Sequence, residues 1–138
     1  LVFPGEFADR GRHPVERVQV GVHALALIEP IFLRGVGGEV ERLALGAGVG
    51  IKVLDGSVIS HRELVETFVT LAKRSKIKHQ LEILPRGGTD AGAMQRSRKG
   101  VKTVTLSVPT RYIHSVTETA HKDDVKATEA LLLRFLQA

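Results

Sequence analysis

No cysteine occurs among the 138 residues, which excludes disulfides and thiolate metal sites. Tryptophan is also absent, and aromatic residues make up only 4% of the chain. That is too few for the stacking platforms on which single-stranded nucleic acids are bound. No apolar run approaches the ~20 residues a membrane helix needs. The longest, Ala24 to Ile28, is stopped by Glu29 and Pro30. No basic-then-apolar leader opens the chain, which begins at Leu1 rather than Met and is read as processed, truncated or mis-started. The expected compartment is the cytoplasm, with no membrane contact.

What is present fits one soluble domain: 43% hydrophobic and 25% charged residues, spread throughout. The net charge is +5, with basic clusters at Lys73-Arg74-Ser75-Lys76-Ile77-Lys78 and Arg96-Ser97-Arg98-Lys99. Without interleaved aromatics these are read as solvated faces and helix carboxy-terminal charges, so nucleic acid is not an expected partner.

Along the chain, Leu1 to Val20 has no clear period, and Ala24 to Leu27 reads as a buried strand. Gly35 to Gly38 reads as a turn, Glu39 to Leu45 as a strand, and Ile51 to Leu54 as another. A capping box at Ser60-His61-Arg62-Glu63 predicts a helix start, followed by the apolar stripe Leu64, Val65, Phe68, Val69, Leu71 and Ala72. A strand is predicted over Leu81 to Leu84 and a short helix from Asp90 to about Ser97, with Thr89 and Asp90 able to cap it. A further strand runs over Val101 to Val108, closed by Pro109. The last helix is expected from Asp123, with Val125, Thr128, Leu132 and Phe135 facing the core. Alternating strands and helices predict an α/β fold with a mostly parallel sheet. Ligands in such sheets bind at strand carboxyl ends, which points to the turns after Leu84 and after Val108.

Two segments carry a specific resemblance. Ile83-Leu84-Pro85-Arg86-Gly87-Gly88-Thr89-Asp90-Ala91-Gly92-Ala93 and Ser107-Val108-Pro109-Thr110-Arg111-Tyr112-Ile113-His114-Ser115, together with Asp55-Gly56-Ser57-Val58-Ile59-Ser60-His61, resemble the carboxy-terminal half of TET-type (endoglucanase-M-like, deblocking) metallo-aminopeptidases. The match is strong over 45–138 and weaker over 1–44, and it implies part of a three-layer α/β/α zinc-peptidase sandwich without the family's assembly domain. Such enzymes use two metal ions, zinc or cobalt, to activate a water against the first peptide bond of a peptide.

Carried over by position, the resemblance makes His114 and Glu6 metal-ligand equivalents. It puts Gly5 at the general-base position and Ile28 in place of a ligating aspartate. Gly87, Gly88, Thr89, Asp90 and Arg111 become substrate-side residues, and Tyr112 lines the cleft or packs beside it. His61 is read as a helix-start residue, while His13, His23, His79 and His121 show no ligand spacing. With two ligands of five and no general base, the chain is expected to be inactive alone, with metal binding doubtful and no bound metal as the open alternative. Two alternatives stand beside that reading: one chain of a split aminopeptidase, or a non-catalytic assembly or regulatory subunit of a homologous peptidase. Self-association, or pairing with a complementary or homologous peptidase chain, is expected, because half a sheet leaves a strand edge and an apolar face to be covered.

Overall fold

The computed structural model describes residues 18–27, as backbone, and residues 43–138. The elements are β1 (Val18–Leu27), β2 (Val49–Asp55), α1 (Arg62–Arg74), β3 (His79–Leu84), α2 (Ala91–Gln95), β4 (Lys102–Arg111), β5 (Thr119–Ala120) and α3 (Lys122–Leu136). The sheet order is β1-β4-β2-β3, with β5 paired to the end of β4. β1 runs parallel to β4 and β2 parallel to β3, but β2 meets β4 antiparallel. The expected α/β architecture holds, with a mixed sheet.

One face of the sheet is apolar. Val49 and Ile51 of β2 and Val104 and Leu106 of β4 pack with Leu64, Phe68 and Ala72 of α1 and Leu131 of α3. The α1 residues recur every fourth position, so one stripe of the helix faces the sheet. The Phe68 and Phe135 rings stack at 4.5 Å, joining the two helices. The opposite face of β4 presents Thr103, Thr105 and Ser107, all buried, and beside them lie Lys52 and Glu82. α2 follows the loop seated on that second face and packs against β4 and β1, giving three layers.

Several local expectations are corrected. α1 is capped at His61, without a side-chain cap bond, and not at Ser60. Ser60 is still engaged in extended pairing: its amide donates to Val53 O at 2.9 Å, next to the Leu54–Ile59 bridge. Its hydroxyl is buried without a partner, and Glu63 pairs with Lys102 at 3.0 Å. Pro109 does not close β4, which runs on to Arg111. The β2 ladder registers Leu106 and Ser107 only, so Pro109 lies beyond it and its missing N–H costs no bond to that neighbour. β1 begins at Val18, inside the stretch read as patternless. Residues 43–45 are not strand; the rest of that expected strand, the 35–38 turn, and Gly5, Glu6 and Ile28 lie outside the described residues. Val125 is 47% exposed and not in the core, whereas its neighbour Asp124 is fully buried.

Candidate functional site

The loop after β3 is built against the turn after β2. Asp55, at the end of β2, is buried and accepts four bonds: from the Ser57 amide at 2.7 Å, the Ser57 hydroxyl at 2.8 Å, the Val58 amide at 3.0 Å and the Thr89 hydroxyl at 2.7 Å. The Gly56 amide donates to Gly87 O at 2.8 Å, and the Ser57 hydroxyl donates to Thr89 O at 3.2 Å. Glycine is required where the two turns touch. A Cβ on Gly88 or Gly92 would meet the Ser57 side chain at 2.8 or 2.5 Å. Thr89 therefore does not cap α2. Its hydroxyl is committed to Asp55, and it also lies 3.4 Å from the Thr105 hydroxyl. Asp90 occupies the cap position without a side-chain cap bond. Gly87, Gly88 and Asp90 are exposed.

Burial pushes the Asp55 carboxyl up, but the bonds from Thr89, Ser57 and Val58 outweigh it, and the pKa falls below its ordinary 3.8. A group with a depressed folded pKa stabilises the fold above its ordinary pKa and loses that contribution as pH falls through the folded value. The Asp55→Asn variant is therefore expected to be less stable than the native chain at neutral pH, with the gap closing below about pH 4. Urea denaturation at a series of pH values checks this, and a gap that stays constant with pH refutes it.

Arg111 and His114 lie elsewhere. Because β4 runs against β2 and β3, its carboxyl end is at their amino ends, so the turns after Leu84 and after β4 do not share one end of the sheet. Thr89 meets β4 at Thr105, six residues before Arg111, or about 20 Å along an extended strand. Arg111 pairs with Thr119 of β5 and aligns with Leu27, the last residue of β1. His114 is exposed in the β4–β5 hairpin, where its amide donates to Glu118. Both turns are thus well built, but they form two separate surfaces.

Among the described residues, no group of three or more His, Asp or Glu side chains converges as a metal site. These residues by themselves do not fit a two-metal centre, and no reaction step is derived through one.

Sequence reading missed three structural anchors. Asp55 was recoverable, since Asp-Gly-Ser after a strand is an Asx-turn pattern. Asp124, which accepts the Gly46 amide at 2.7 Å and the Gly48 amide at 2.8 Å, looked like an ordinary helix-start acid. The Lys52–Glu82 pair is joined at 2.7 Å by residues 30 apart, and no local pattern marks it.

A family model described as M42 glutamyl aminopeptidase matches residues 26–131. The chain belongs to that family. The M42 aminopeptidases are metal-dependent. Among relatives, the lysyl aminopeptidase of Pyrococcus furiosus is 46% identical over 68 residues, covering 49% of this chain and 20% of the relative. An aminopeptidase from the archaeon Desulfurococcus kamchatkensis superposes with a TM-score of 0.75 at 29% identity, covering 88% of this chain and 34% of that one. The Pyrococcus horikoshii TET1 peptidase, which can assemble into a tetrahedron or a large octahedral shell, superposes at 0.67 with 30% identity, covering 85% of this chain and 32% of that one. The chain thus spans a fifth to a third of the length of these M42-type relatives. Among the described residues no helix is long and apolar enough to cross a membrane.

Proposed function

We propose that this chain supplies the carboxy-terminal part of an M42-type aminopeptidase site and does not hydrolyse peptides without further residues. The observation that carries this reading is the missing donor set: among the described residues nothing joins His114 to form a metal-binding group. Hydrolysis with paired zinc or cobalt ions needs a near-complete ligand shell and a proton acceptor. Gly5, at the general-base position, has no side chain to take a proton, and a general base is typically worth about 10²–10⁴-fold. Ile28, in the place of a ligating aspartate, cannot bind metal. Glu6 and His114 are the two ligand equivalents that remain.

The fold supports a place for the missing part. β1 is the terminal strand of the described sheet, ten residues long and paired on one side to β4. An edge of that length is a template for a further strand, which we assign to the portion of the M42 architecture that carries the remaining ligands, in the same or a separate polypeptide. In this reading Arg111, at the end of β4, lies on the substrate side of the completed cleft. The Gly87–Asp90 loop, at the other end of the sheet, belongs to a separate surface. First-residue preference is not carried over: the family is described as glutamyl and one relative as lysyl.

The purified chain, supplied with Zn²⁺ or Co²⁺ and amino-acid chromogenic amides, is expected to show no turnover above the metal-only control and to retain less than one equivalent of metal after dialysis. Robust turnover with two retained equivalents defeats the proposal.

A further inference from the structure

Two of the four described non-glycine residues with positive φ fall within three positions of each other in the β4–β5 hairpin: Tyr112 at 58° and His114 at 60°. Residues with a Cβ rarely adopt this left-handed region, and neither glycine nor asparagine is used here to ease it. Such a backbone persists where its neighbours over-determine it. Pairing of Thr110 with Ala120 and of Arg111 with Thr119 closes the base of the hairpin. The Ser115 amide donates to Tyr112 O at 3.2 Å, and the Ser115 hydroxyl donates to the same oxygen. The Thr117 amide donates to the Ser115 hydroxyl at 3.3 Å. These bonds hold Tyr112 and the apex. The bond that reaches His114 itself comes from Glu118, whose carboxylate accepts the His114 amide from four residues downstream.

We propose that Glu118 is a positioning residue for His114. Its carboxylate fixes the left-handed backbone at His114 and so sets the direction in which the imidazole leaves the end of β4. An anionic acceptor on a backbone amide is stronger than a neutral one, which suits a loop whose tip is otherwise solvated: Tyr112 is 59% exposed and Val116 fully so. The functional weight of this arrangement rests on the reading of His114 as a site residue; the geometry does not.

Amide hydrogen exchange followed by NMR on the full chain tests it, using Glu118→Ala and Glu118→Gln. In Glu118→Ala the His114 amide is expected to exchange roughly tenfold faster, whereas Glu118→Gln, which keeps an acceptor oxygen, stays within about threefold of the native chain. Tm is expected to be unchanged in both, since the hairpin tip contributes nothing to the core. Equal protection of the His114 amide in all three proteins overturns the proposal, as does a loss of protection spread over the whole sheet with a fall in Tm. The site reading is tested separately by adding Co²⁺ alone and following the His114 ring resonances. Selective broadening in the native chain supports that reading; its absence is what the incomplete donor set predicts, and the exchange result stands on its own either way.

Discussion

Replacing Lys52 by methionine is expected to destabilise the chain by roughly 3–5 kcal/mol. Lys52 is fully buried and Glu82 2% exposed. The ammonium meets Glu82 Oε1 at 2.7 Å, and the Ser107 hydroxyl donates to Oε2. Three strands are tied by these contacts, since Lys52 is on β2, Glu82 on β3 and Ser107 on β4. Truncating the lysine leaves a carboxylate without its counter-charge in a place water does not reach, and the desolvation penalty of that lone charge dominates the loss. The double variant Lys52→Met with Glu82→Leu is expected to recover most of it, because removing both charges removes the penalty. Urea unfolding of the two single variants and the double variant gives the coupling directly. A loss below about 1 kcal/mol for Lys52→Met would place the pair in the range of exposed ion pairs and contradict its burial.

Gly48→Ala is the other large effect, at roughly 3 kcal/mol or more. Gly48 has φ +99°, and a Cβ built there would lie 2.0 Å from the Lys78 carbonyl oxygen. That oxygen accepts the Val49 amide at 3.1 Å, so it cannot retreat without opening the first rung between β2 and β3. The Gly48 amide is meanwhile held by Asp124 at 2.8 Å, which blocks escape in the other direction. Two costs therefore add: the left-handed penalty of a residue with a Cβ and a backbone displacement in a packed region. Gly46→Ala provides the control. It shares the positive φ, but its nearest neighbour would be the His121 ring at 3.8 Å, so only the first cost applies. Equal losses for the two variants would show that crowding at Lys78 plays no part.

Much of the element pattern was legible because it is written in local periodicity. The α1 stripe of Leu64, Phe68 and Ala72 and the apolar alternation of Val104 and Leu106 report burial on one face whatever lies across from them. Boundaries failed where tertiary pairing overrode a local signal. Ser60 and Glu63 have the spacing of a capping box, yet Ser60 is still bridged to Val53 and the helix starts one residue later. Pro109 looked like a strand stop, but it follows the last residues paired with β2 and the strand continues. Strand direction was the costliest omission. Nothing in the sequence of β4 states that it runs against β2, and that single fact separates Thr89 from Arg111 and His114. The two segments singled out by resemblance are both built turns, the loop after β3 tied to Asp55 and the β4–β5 hairpin tied to Glu118, but they lie on separate surfaces. Glu118 and Asp124 were invisible as anchors because an acidic side chain that accepts backbone amides has the same sequence appearance as a solvated one.

The position of β4 has a consequence for the order of assembly. It is the last long strand described, yet it lies between β1 and β2, the first two described. As the polypeptide leaves the ribosome, β2, α1 and β3 can associate as a nearly contiguous unit, whereas β1 has no described neighbour until residues 102–111 arrive some 80 positions later. Closing so long a loop is entropically slow. β1 must therefore wait for β4, its partner among the described strands, and this nascent interval leaves that edge open to chaperone capture or to mispairing with another copy.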